Sequence, residues 1–314
     1  MTTAVAWPAV SYEQWPRTCD TLHAHTQVLG KLAAALAPPE PELQHAALRL
    51  TARGWETCPL RAPDGSGALV LTVDLRRHEV LVEHSGGDEA RVGLTSHRSV
   101  GQVCREVLAA VCRLGGPVDI NPVPQEVPWT VPLDEDDDHA HYDPRQAGAY
   151  FAAATRAAAV LAEFRAPFRG RATPVNAWWG TFDLAVTLFS GREEEPPGRD
   201  FITRNAVDRQ TVTVGWWPGD AGYRRAAFYA YAFPAPDLLP GATVSPPQAR
   251  FEPELGEFLL DWDDVRAAPD PHAAGVRFAR SVFRSASALG EWDDALAGSV
   301  DGVPPPLRPR AAAR

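Results

Sequence analysis

Three places in the chain hold residues whose types and spacing suit chemistry. His139-Ala140-His141-Tyr142-Asp143 has HxHxD spacing, which on an extended segment sends three potential ligands to one side. Zinc accepts such nitrogen and oxygen donors, and the acidic run from Asp134 to Asp138 would add attraction for a cation. Against a metal-dependent hydrolase stand the lack of another nearby His and the Pro144 that follows at once. A solvated acidic linker accounts for the same residues, so no metal is expected. His23, Gln27 and Lys31 are spaced i, i+4, i+8 and line one side of a helix, roughly opposite its leucines. Either that stripe faces solvent, or it forms the wall of a cleft. Lys31 is the sole lysine among 30 Lys and Arg residues. In an arginine-biased chain a lone lysine marks a place for a compact amine that a planar guanidinium does not fit, chance being the alternative.

The third place is Trp179 to Phe189, which alternates as a strand does. Phe182, Leu184, Val186 and Leu188 point one way; Trp179, Thr181, Asp183, Ala185 and Thr187 point the other. A carboxylate inside a strand needs a partner if it is covered, and a structural arginine is the rival to a functional role for Asp183. Trp178, Trp216, Tyr229 and Tyr231 belong to a core or to a pocket wall. The candidate ligand-binding set is His23, Gln27, Lys31, Trp179, Asp183, Arg192 and Trp217. His23, Gln27 and Lys31 are expected to converge with Asp183 and Arg192 on one water-accessible cleft. No GxSxG elbow, Walker loop, GxGxxG after a strand or HExxH occurs, so no cofactor is expected and no catalytic residue is assigned.

The elements that must position these residues are readable. A helix covers about residues 21–36, with Leu22, Leu29, Leu32 and Leu36 on one side and Pro38-Pro39 beyond it. His25 falls on its apolar side as a packing residue. Strands are expected at 45–51, 68–75, 80–84 and 90–94, and a helix capped by Ser99 ends at Gly115. Residues 116–146 are punctuated by prolines and read as an acidic linker. The order then repeats: an Ala-rich helix over 145–165, strands near 176–189, 210–217, 226–233 and 249–260, and a final helix ended by Gly290. The expected fold class is α+β: two similar helix–four-strand–helix halves, 1–115 and 147–300, with mostly antiparallel sheets from an internal duplication. A tail at 301–314 is expected to be disordered.

Composition narrows the partners. With 314 residues, 45% hydrophobic, the chain can bury a substantial core. No stretch approaches the roughly 18 consecutive apolar residues of a membrane span, and Met1-Thr2-Thr3-Ala4 does not read as a signal peptide. Cys19, Cys58, Cys104 and Cys112 form no CxxC pair and read as free thiols. A cytoplasmic location is expected. The net charge of −10 without a basic run leaves nucleic acid without its phosphate-neutralising surface.

Further residues resemble a known family. They are Trp7-Pro8, Trp15, Thr21-Leu22-His23, Thr26-Gln27 and Gly30-Lys31; Thr51-Ala52-Arg53-Gly54; Asp74 with His78; and His139-Ala140 with Tyr142-Asp143-Pro144. Above all they include Trp179 to Thr187 with Phe189-Ser190-Gly191-Arg192, then Trp217-Pro218-Gly219, Phe228 to Tyr231 and Leu255 to Phe258. In these the chain resembles a bacterial family catalogued as domain of unknown function 5996. The resemblance implies no activity. It implies departures, since similar proteins tend to have His in place of Asn176 and Tyr, His and Glu in place of Val207, Arg209 and Gln210. They also lack a His at position 141. The leading functional expectation is a small-molecule-binding protein or enzyme with a cleft between its halves. The rival is a non-catalytic interaction module with an exposed aromatic patch.

Overall fold

A computed structural model of the protein describes residues 6–196, 198 and 201–297; the tail at 301–314 lies outside them. Helix α1 spans Pro16–Leu36. Pro16 occupies its first turn, where a missing N–H costs nothing, and Ala37 turns extended ahead of Pro38-Pro39. Five residues earlier than the leucine stripe predicts, the helix begins on Pro16. A first antiparallel sheet follows from β1 (Arg49–Leu50), β2 (Gly54–Glu56), β3 (Leu60–Arg61), β4 (Ala68–Asp74), β5 (Glu79–His84) and β6 (Glu89–Gly93). Its order is β1-β2-β4-β5-β6, with β3 also paired to β4. Helix α2 (Val100–Gly115) starts on a capping box between Ser99 and Gln102 and stops at Gly116, whose φ of +96° suits glycine.

Residues 116–143 cross to the second half without helix or strand. Helix α3 (Pro144–Arg165) is capped by the Asp143 side chain. The second sheet is built from β7 (Asn176–Trp178), β8 (Asp183–Glu193), β9 (Arg209–Trp217), β10 (Ala227–Phe233), β11 (Arg250–Glu252) and β12 (Glu257–Asp261). Its order is β11-β12-β10-β9-β8-β7. Short α4 (Phe201–Ala206) precedes β9, and α5 (Trp262–Ala267), α6 (Pro271–Leu289) and α7 (Asp294–Ala297) close the chain. The fold is α+β with two antiparallel sheets.

Each sheet has six strands where four were expected: β2 and β3 are too short to show hydrophobic alternation, and the strands expected at 176–189 and 249–260 are each broken into two, β7 with β8 and β11 with β12. The two sheets meet at their β1 and β7 edges. There Leu48 and Ala177 exchange both backbone hydrogen bonds, 3.1 and 2.9 Å. Buried side chains of both halves form one hydrophobic cluster. At its centre Phe182 stacks on Trp55 (5.2 Å between centroids), Tyr150 (5.0 Å) and His23 (5.0 Å), so both sheets, α1 and α3 contribute to one aromatic stack.

Candidate ligand cavity

The site grows out of the connection between β7 and β8. The alternation expected from Trp179 onward breaks, because β7 ends at Trp178 and β8 begins at Asp183. Phe182, at φ +57°, makes the turn. Its ring enters the core, and Trp179 folds back onto α1. The Trp179 Nε1–H donates to the Ala46 carbonyl at 3.0 Å. Its ring lies against Gly30, where any side chain would overlap it. A glycine in mid-helix costs about 1 kcal/mol of helix propensity; here it makes room for an indole. Lys31 Nζ lies 5.6 Å from the centre of that ring.

His23 holds the same turn. Its Nε2 is 2.9 Å from the Trp179 carbonyl and 3.0 Å from that of Gly180, so Nε2 carries the hydrogen and donates to both. Burial pushes its pKa down to about 4, against the pull of the two carbonyls, and the imidazole is neutral at pH 7. Gln27, one turn on, binds the crossing segment. Its Nε2 donates to the Gln125 carbonyl and its Oε1 accepts from the Gln125 N–H, both at 2.9 Å.

Asp183 points to the face of the second sheet opposite the one on which α3 and α6 pack. The register places Ala185, Gly215 and Tyr229 side by side, as it does Thr187, Thr213 and Tyr231. Gly215 has no side chain to obstruct Tyr229, whose ring lies where a Cβ would be. The Tyr229 hydroxyl donates to one oxygen of Asp183 and the Thr181 hydroxyl to the other. Burial raises the Asp183 pKa to about 6 although both hydroxyls oppose it. On β12, Glu257 is raised to about 7, first by burial and then by the Asp183 charge. Trp217 meets Tyr229 edge-on at 5.4 Å, and Tyr229 stacks on Tyr231 at 6.2 Å.

This face is the floor of a cavity of about 850 Å³. Its walls are the 42–46 and 125–129 segments, α4, the 219–222 loop and the start of α1. Seven described non-glycine residues have positive φ, and four of them, Glu42, Leu43, Glu126 and Phe182, line this cavity. Such conformations cost roughly 1–3 kcal/mol each and gather where a site needs particular backbone geometry.

Of the residues singled out in the sequence, His23, Trp179, Asp183 and Trp217 line the cavity. Gln27 and Lys31 are buried but not among its lining residues, so the stripe on α1 faces protein and not solvent. Burial lowers the Lys31 pKa to about 8. Arg192 is not part of the cavity; its guanidinium donates to the carbonyls of Gly290, at 3.2 Å, and Glu291. The HxHxD residues are occupied separately. His139 Nδ1 pairs with Asp136 at 2.7 Å, Asp143 caps α3, and among the described residues no group of three His, Cys, Asp or Glu has a metal-holding arrangement. Sequence reasoning missed Glu257 as a site residue. It also passed over Gly215, although an isolated glycine inside a strand signals a close approach.

A search against family models matches residues 7–299 to a family of unknown function, DUF5996. The chain belongs to this family. No curated protein and no solved structure matches it. At the positions where family resemblance implied other residues, Asn176 is buried, donating to Gln44 Oε1 at 3.1 Å and accepting from Arg49. Val207 lines the cavity, Arg209 pairs with Glu193 at 3.2 Å, and Gln210 donates to Glu194 at 3.0 Å.

Proposed function

We propose that the protein binds a small organic molecule in this cavity, in the cytoplasm, and that Asp183 is the group able to exchange a proton with it. The observation that carries this reading is a cavity of about 850 Å³ with aromatic walls and a buried carboxyl held by two hydroxyls on its floor. That volume falls within the range of small-molecule sites, which combine apolar walls with a few placed polar groups. A carboxyl with a pKa of about 6 exchanges protons near neutral pH, as general acid–base chemistry requires. The rival, an interaction module with an aromatic patch, has less support. Trp179 is buried and Trp217 half-buried, and no aromatic residue is among the exposed large hydrophobics of the described residues. No helix of the described residues is long and apolar enough to cross a membrane. Nucleic acid is not proposed as a partner, since the net charge is −10 and no Lys or Arg among the described residues lines the cavity.

The test is a thermal-shift screen of a metabolite library, with hits followed by tryptophan fluorescence. Ala185→Phe places a ring on the cavity floor and should abolish the response to genuine cavity ligands while the protein still unfolds cooperatively. Hits that shift the wild type and Ala185→Phe equally, with none lost, would sink the cavity as a binding site.

A further inference from the structure

We propose that the cavity's ligand is a small organic cation, a protonated amine or quaternary ammonium, seated over Trp217, Tyr229 and Tyr231 with its charge toward Asp183 and Glu257. The inference rests on the preceding reading that the cavity takes a small molecule, and it names the class.

Charge is the first argument. Asp20, Glu42, Glu126, Asp183, Asp220 and Glu257 all line the cavity, and among the described residues no Lys or Arg does. Arg171 pairs with Glu42 from outside the lining. Two histidines also line the cavity. His23 is neutral and donates to two carbonyls, and His45 Nδ1 accepts from the Glu40 N–H at 3.0 Å. Asp183 and Glu257 have no ion-pair partner among the described residues. An anionic ligand would enter this space against like charge and without a counter-ion. A cation would meet both carboxyls in a partly desolvated setting, where such attraction is strongest.

The aromatic faces are the second argument, independent of the first. The stacked pair Tyr229–Tyr231 and the edge-on Trp217 form one continuous π surface beside those carboxyls. Ring faces attract a cation, and more strongly when it is desolvated. A neutral polyol would use the same rings but gain nothing from the charge.

Proton linkage follows. Among the described residues, the titratable groups facing the pair are Tyr229 and Tyr231 on β10, Tyr150 on α3 and Glu126 on the crossing segment, none of them a cation. Burial therefore holds a proton on Asp183 up to about pH 6, and burial together with the Asp183 charge holds one on Glu257 up to about pH 7. A bound cation favours the ionised carboxylates, so its arrival expels protons between those values. Affinity for a cation should be highest above pH 7 and fall as pH drops through 7 and then 6.

The test uses two charge-matched probe sets. One is choline, 3,3-dimethylbutan-1-ol and 3,3-dimethylbutanoate; the other is phenethylamine, 2-phenylethanol and 3-phenylpropanoate. Binding is read by calorimetry and tryptophan fluorescence on the full chain, with Ala185→Phe as the occupied-cavity control. The cation of at least one set should bind tenfold or more tighter than its neutral partner at pH 7.5. Its affinity should fall at least tenfold between pH 8 and pH 5.5, with proton release detected in buffers of different ionisation enthalpy. Glu257→Gln should bring cation and neutral partner to within about threefold; Asp183→Asn repeats the measurement if that variant does not fold. A neutral or anionic probe that binds as well as the cation overturns the charge class and leaves the cavity reading standing. So does the absence of cation binding when the library screen returns cavity hits. If neither probes nor library give binding sensitive to Ala185→Phe, both readings fall.

Discussion

Asp183 shows how one side chain couples the site to stability. Its pKa is 3.8 as a free carboxyl and about 6 in the fold, raised chiefly by burial. Below pH 4 it is protonated in both states and carries no penalty. As pH rises from about 4 to 6 the unfolded chain ionises while the folded one resists, so stability is lost across that window and stays lost above it. The shift corresponds to an order-of-magnitude cost of about 3 kcal/mol. Asp183→Asn keeps a group that can accept from one hydroxyl and donate to the other, but cannot ionise. The variant should match the wild type near pH 4 and be more stable than it at pH 7–8, as measured by urea unfolding across pH. Equal pH dependence in the two proteins would show that Asp183 is not the titrating group. A charged group kept at this cost fits a site selected for function over stability.

At the scale of elements, the crossing segment and α1 depend on each other. Fifteen of the 21 residues of α1 are buried, on both of its faces. The leucine stripe was visible in the sequence, but the cover over the opposite face was not, since an irregular Pro-rich segment has no periodicity to read. Gln27 contributes the join by pairing with both backbone groups of Gln125. Gln27→Ala leaves a donor and an acceptor without partners, an expected cost of about 1–3 kcal/mol. Hydrogen exchange should accelerate around residues 122–133 and change little in β4 or β9. Unchanged protection of Gln125 would mean that the segment is held elsewhere. Trp129 shares in this cover, 5.2 Å from His23 and 4.5 Å from His139.

At the scale of the whole molecule, the halves repeat an order, helix then antiparallel meander then helix, yet share one core. Internal duplication is not established by that order, because β3 lies off the first sheet's path whereas β11 extends the second sheet's edge. What joins the halves is concrete: the Leu48–Ala177 backbone pair and the stack of Phe182 on Trp55, Tyr150 and His23. Chemical unfolding followed by far-ultraviolet circular dichroism and by tryptophan fluorescence should therefore give one coincident transition. Two separated transitions would show that each half stands alone.

The sequence by itself determined the α+β class, the family, and the elements with strong local signals. Helix α2 is an instance: its apolar stripe, Ser99 cap and terminal glycine are all local features, and the structure places it at Val100–Gly115. Strands β4, β5 and β9 were legible for the same reason, since alternation and turn residues act over a few positions. Only the tertiary structure decided that Trp179 leaves the strand and packs on Gly30, that Arg192 reaches the end of α6, and that Glu257 joins Asp183 on one cavity floor. Those relations depend on sheet register and on contacts between residues tens to more than a hundred positions apart. Local propensity carries no information about such contacts, because they are set by which faces the whole chain can bury together.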